Sequence, residues 1–292
     1  MFKGASIAEV LIVYLSSLIL GWIVVALFQD FFTLEREILG YNYIFPIFFY
    51  FSPILIILGA KRDFKNYGIT NDKWQFGVDI AMSIFLFALI PYLLGILIIN
   101  FLGWGILEPF GALIITGLWI VTLFLVLESI KKRDINKQIS SRKSRNNLIT
   151  ILILLLVPIL LGIILNKFSG KLVSLILWQF FVSGFGEEFK YRGYFQSTIN
   201  REFGRPYRIR GIQFGLGLII SSILFSISHI LNPFNPFIGN FELTIWWGTF
   251  SLVAGFVFGL LREKTESILA PAIFHGLPDA VGEAIGMIFG LL

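Results

Sequence analysis

Apolar runs of about twenty residues recur along the whole chain, and the charged residues fall in the short stretches between them. A helix needs about 20 apolar residues to cross ~30 Å of hydrocarbon. Lipid offers backbone amides no partner, so such runs close their own hydrogen bonds as helices. The runs cover roughly residues 6–28, 41–60, 75–100, 109–128, 148–166, 171–194, 211–231, 242–261 and 267–291. The expected fold is an all-α, polytopic integral membrane bundle of nine transmembrane helices, or eight if one segment is re-entrant or interfacial. Only 14% of the residues are charged, against about 25% in soluble domains. No internal repeat, low-complexity tract or soluble domain interrupts the pattern. Residues 7–28 are long enough to span and no small-residue cleavage site follows, so a retained first helix is expected. The chain has no cysteine, which excludes disulfides and thiolate ligands or nucleophiles.

Loop charges set the expected orientation. The stretches 61–73 (Lys61, Arg62, Lys65, Lys73), 129–147 (Lys131, Lys132, Arg133, Lys137, Arg142, Lys143, Arg145), 201–210 (Arg201, Arg205, Arg208, Arg210) and 262–266 (Arg262, Lys264) are basic. The alternate loops 29–40, 101–108 and 232–241 are acidic or nearly uncharged. By the positive-inside rule the N-terminus is cytoplasmic and, with nine spans, the C-terminus lies outside. The net charge of +5 is thus accounted for by topology and contact with anionic lipid, and nucleic acid is not an expected partner. The loop 129–147 divides a four-span N-terminal region, 1–147, from a C-terminal region, 148–292.

All candidate chemistry lies in the second region. Residues 181–196 place Glu187, Glu188 and Arg192 in an otherwise apolar segment. A charge at the bilayer centre costs ~2.5–3.5 kcal/mol on insertion scales, so such residues are functional candidates. On an α-helix, Glu188 and Arg192 share a face and can pair, whereas Glu187 points about 100° away with no equivalent arginine. The two histidines, His229 and His275, also fall in apolar segments. His275 and Asp279 are four residues apart, so Asp279 can orient the imidazole, and Glu283 continues the stripe. Pro278 either kinks that helix or sits in its first turn. Carboxylates and imidazoles facing an interior cavity can activate water and hold a developing oxyanion, the parts needed for amide hydrolysis.

Glu187-Glu188-x-x-x-Arg192, Phe225-x-x-x-His229 and His275-x-x-x-Asp279 resemble, in order, the three motifs of the CAAX protease and bacteriocin-processing family. These are intramembrane endopeptidases that include the Ras-converting prenyl protease. The resemblance covers about residues 171–291. It implies a glutamate-type peptidase acting on a membrane-associated or prenylated, CAAX-type peptide. In that scheme Glu187 and His229 activate water, His275 and Asp279 stabilise the oxyanion, and Glu188 and Arg192 support them. No metal is required, although Glu187, His229, His275 and Asp279 are also plausible zinc ligands. Asp279 departs from the asparagine often found there, and an ionised aspartate cannot donate to an oxyanion. For His229 to reach the other residues, the resemblance requires residues 203–215 to be partly interfacial and the proline-rich loop 232–241 to dip into the membrane. A zinc-dependent protease and a non-catalytic transport or immunity protein are the alternatives.

Overall fold

With no water in hydrocarbon to accept their hydrogen bonds, the apolar runs fold as helices. The computed structural model describes residues 4–70 and 72–291. From the N-terminus, α1 is Ala5–Leu27, α2 Gln29–Leu39, α3 Ile44–Phe51, α4 Pro53–Gly59, α5 Trp74–Ile84, α6 Leu86–Leu102, α7 Pro109–Ile130 and α8 Ser141–Ile164. A continuous helical stretch over 170–203 follows, made of α9 (Gly170–Leu177), a wide-turn segment and α10 (Ser197–Phe203). Then come a hairpin of β1 (Tyr207–Ile209) and β2 (Ile212–Phe214), α11 (Leu216–Ile230), α12 (Ile245–Thr265) and α13 (Leu269–Phe289).

All nine apolar runs are mainly helical, but the expected count of eight to nine spans is not confirmed. Six helical stretches are long and apolar enough to cross a bilayer: α1, α5 with α6, α7, α8, the 170–203 stretch and α12. The pair formed by α2 and the Ile44–Gly59 segment bends by 107° and makes a seventh if it is one crossing. The run 211–231 shortens to the 15 residues of α11, about 22 Å of helix. Residues 207–214 are taken by the hairpin, a departure from an all-helical chain. Arg210 and Gly211 both have positive φ (47° and 86°) between paired Ile209 and Ile212, the backbone of a tight two-residue hairpin turn. The last run becomes the 21-residue α13, which holds His275, Pro278, Asp279 and Glu283.

The 170–203 stretch forms the middle of the molecule. In its most apolar window 72% of residues are buried, against 17% in α8, whose Leu152, Ile153, Leu156 and Leu160 remain exposed. It packs against α13, α11 and α3, while α12 packs on α11 and α7. Lipid tails are as apolar as leucine, so close packing of small residues holds such helices together. Gly184 and Gly276 are one such case: a Cβ on Gly184 would lie 2.6 Å from the Gly276 Cα.

At the end of the molecule that carries the basic loops, charges tie elements together. Asp79 of α5 is 2% exposed and meets Lys143 Nζ at 2.6 Å and Arg133 Nη1 at 3.4 Å. Arg62 grips Glu9 with both guanidinium nitrogens, at 2.5 and 2.9 Å, and Tyr194 donates to the same carboxylate at 2.6 Å. The loop 129–147, read above as topology, is therefore also a fastening to α5.

Gly184→Ala is expected to lower the thermal midpoint in detergent, with a loss on the order of 1–3 kcal/mol from overpacking against backbone. Gly117→Ala, where a Cβ meets nothing within 4 Å, should not lower the midpoint, because alanine is the better helix former by about 0.5–1 kcal/mol.

Candidate active site

Across Trp178–Glu187 and Phe189–Gln196 the helix is wound as a π-helix, with each N–H bonded five residues back instead of four. Such winding is rare beyond single turns and concentrates at functional sites. Gly184, Gly186 and Gly193 lie within it, and each abuts a neighbouring element: Gly276, the Tyr50 ring and the Tyr67 carbonyl. All three acidic and basic motif residues, Glu187, Glu188 and Arg192, sit on this segment and are buried.

Glu188 and Arg192 do pair, Nη1 to Oε1 at 3.0 Å, with both side chains fully buried. Arg192 Nη2 also donates to the Gly255 carbonyl of α12 at 3.1 Å. Its guanidinium lies over the Phe225 ring at 4.3 Å and near Phe258 at 5.2 Å. The same Glu188 Oε1 lies 3.0 Å from His275 Nδ1. Glu188 therefore joins the central helix to α13, beyond its expected role as partner of Arg192.

His275 and Asp279 share a face of α13, which continues as a helix through Pro278. Their contact is long: Nε2 to Oδ2 is 3.6 Å, outside hydrogen-bond range. The ring is held by Glu188 and by Phe258, which stacks on it at 4.5 Å and 17°. Asp279 keeps 26% of its side chain exposed. One turn further, Glu283 accepts from the Tyr41 hydroxyl at 3.4 Å.

His229 lies in the last turn of α11, with Nδ1 2.8 Å from the Phe225 carbonyl. A carbonyl only accepts, so Nδ1 carries the proton and a neutral ring leaves Nε2 as an acceptor. Phe225 lies between the two imidazoles, 4.4 Å from His229 and 6.0 Å from His275 by ring centroids. The short α11 thus brings His229 to the site, with the hairpin occupying residues 207–214. The loop 232–241 packs on α1 through Asn235, whose side chain donates to the Trp22 carbonyl at 3.1 Å.

Glu187 takes no part in the Glu188 ion pair. Tyr50 of α3 donates to its Oε1 at 2.9 Å, and its Oε2 is buried with no hydrogen-bond partner. Two residues given no role in the sequence reading complete this neighbourhood. Tyr50 carried no signal, being one aromatic among many in an apolar run. Lys190 carried the same signal as Glu187, an ionisable group in an apolar span, and is fully buried. Among the described residues no three His, Cys, Asp or Glu side chains converge closely enough to hold a metal ion. Glu187, His229, His275 and Asp279 are thus not gathered into such a group here.

Removing Arg192 would leave the buried Glu188 with only His275 as a partner. Arg192→Met is expected to cost ~3–5 kcal/mol of stability, as for other broken buried pairs. Glu188→Gln in the same chain should recover part of the loss, read as thermal midpoints in detergent.

Residues 169–281 match the family model described as "Type II CAAX prenyl endopeptidase Rce1-like". No curated protein and no solved structure matches the chain. The matched segment holds every motif residue described above, on helices of an integral, multi-pass membrane protein. Over residues 169–281 this chain is thus similar to the Rce1-like CAAX prenyl endopeptidases, the resemblance that its three motifs carry.

Proposed function

We propose that the protein is an intramembrane endopeptidase that hydrolyses a peptide bond in a prenylated, CAAX-type or similarly membrane-bound peptide. The observation that carries this reading is the division of labour between adjacent carboxylates. Glu188 is committed to Arg192 and His275. Both leave Oε2 without a partner, but among the described residues Glu187 meets neither cation nor imidazole and takes only hydroxyl contact, from Tyr50, on Oε1. A carboxylate not neutralised by an ion pair and open at one oxygen is suited to act as a general base.

In this mechanism Glu187 Oε2 takes a proton from a water molecule, whose oxygen adds to the substrate carbonyl carbon. His229, protonated at Nδ1, offers Nε2 as acceptor for the second water proton and fixes the line of attack. The carbonyl becomes an oxyanion. His275 faces Glu188 through Nδ1 and Asp279 through Nε2. Carboxylates on both sides match an imidazolium, which donates from both nitrogens, and Nε2–H is the donor available to the oxyanion. Asp279 supports that charge without donating itself. The C–N bond then breaks, and Glu187 returns its proton to the leaving amine. In this reading the N-terminus and the basic loops face the cytoplasm, as the positive-inside rule favours, the region 148–292 supplies the motif residues and 1–147 supplies Tyr50.

The test is cleavage of a fluorogenic farnesylated C-terminal peptide by purified protein. Glu187→Gln is expected to reduce turnover by ~10²–10⁴-fold, the usual contribution of a positioned base, while folding and insertion are retained. Turnover equal to wild type would reject the role of Glu187. Tyr50→Phe, which keeps the ring and deletes the hydrogen bond, should lose about tenfold, less than Glu187→Gln. An unchanged rate would remove Tyr50 from the mechanism.

A further inference from the structure

Lys190 is fully buried on the central helix. Its ammonium has one hydrogen bond, to Ser17 Oγ of α1 at 2.8 Å, and rests 3.1 Å from the centroid of the Phe49 ring of α3. Among the described residues no carboxylate oxygen lies within the 4 Å of an ion pair; the neighbouring acids are engaged elsewhere, Glu188 with Arg192 and Glu187 with Tyr50. An ammonium donates three hydrogen bonds, so two are unused by any side chain seen here. A buried charge is tolerated when it is paired. Here the pairing anion is missing from the chain itself.

Two placements say what that anion is. Lys190 is three residues from Glu187 on the same helical stretch, and both side chains meet α3, at Phe49 and Tyr50. Ser17 is half-buried, and its neighbours Leu15 and Ser16 are exposed on the lipid-facing side of α1. The ammonium therefore lies between α1 and α3, against a half-buried serine. A CAAX-type peptide ends three residues after its prenylated cysteine, in a free carboxylate. Three extended residues span at most about 10 Å, so that carboxylate falls near the base whichever bond after the cysteine is cut.

We propose that Lys190 is the anchor for the free C-terminal carboxylate of the peptide substrate, which displaces the Ser17 hydroxyl. The proposal rests on the endopeptidase reading above and adds the feature of the substrate that is selected. An anchored carboxylate confines cleavage to chain ends, because an internal segment has no second charge to give Lys190.

Farnesylated peptides identical but for a C-terminal acid or amide distinguish the possibilities. Wild-type protein is expected to cleave the acid with kcat/KM about tenfold or more above the amide, the value of one charge-assisted contact. In Lys190→Met the ratio should fall to about one, whatever the absolute rate. Because the substitution removes an unpaired buried charge, its thermal midpoint should be no lower than that of wild type. A wild-type ratio near one overturns the proposal without any variant. So does a ratio unchanged in Lys190→Met with both rates lowered, the signature of a lysine that only offsets Glu187. Cleavage of neither peptide by wild type would remove the CAAX-type reading and this proposal with it. Cleavage of both at equal rates would overturn the proposal alone.

Discussion

One carboxylate oxygen, Glu188 Oε1, carries the interior of this protein. It meets Arg192 on its own helix and His275 on α13, each at 3.0 Å, and through Arg192 it is tied to the Gly255 carbonyl of α12. In a medium without water, a buried charge that loses its partner is destabilising by several kcal/mol. The three helices are therefore fixed relative to one another by charge satisfaction as well as by packing. The aromatic rings follow from this arrangement. Phe225 and Phe258 cover the guanidinium, and Phe258 also stacks on His275. These rings exclude other groups from the pair and fix the plane of the imidazole.

The π-helical winding of the central span makes room for this cluster. With N–H groups bonded five residues back, the backbone widens where it must present two acids, a lysine and an arginine within six residues. Small residues let neighbours approach at the same place: Gly184 against Gly276, and Gly186 against the Tyr50 ring. The second contact has a chemical counterpart, because the Tyr50 hydroxyl reaches Glu187. The N-terminal half, which carries none of the three motifs, therefore forms a wall of the candidate site. Tyr50 and Phe49 from α3 and Ser17 from α1 surround side chains of the central helix. A division of the chain at the loop 129–147 separates motif-bearing from motif-free sequence, while the site draws on both sides of it.

The sequence by itself determined the class of protein and the identity of its buried charges. Apolar length dictates helices in lipid, because the backbone has no other way to bond there. Glu187, Glu188, Arg192, His229 and His275 stand out since each is costly in hydrocarbon. The Glu188–Arg192 pairing was also legible, since residues four apart stay on nearly one side of a helix even when its turns widen. Tertiary structure decided the rest. A run of apolar residues does not reveal where it bends or yields to a hairpin, so the span count and the shortening of α11 depend on how neighbours pack. His275 finds Glu188, 87 residues away in sequence, in preference to the local Asp279, because a direct 3.0 Å contact across helices outweighs a 3.6 Å one along α13. Tyr50 and Ser17 become partners of ionisable groups only when the halves meet. No periodicity encodes such a meeting; it follows from the tendency of most buried polar groups to find a partner somewhere in the fold.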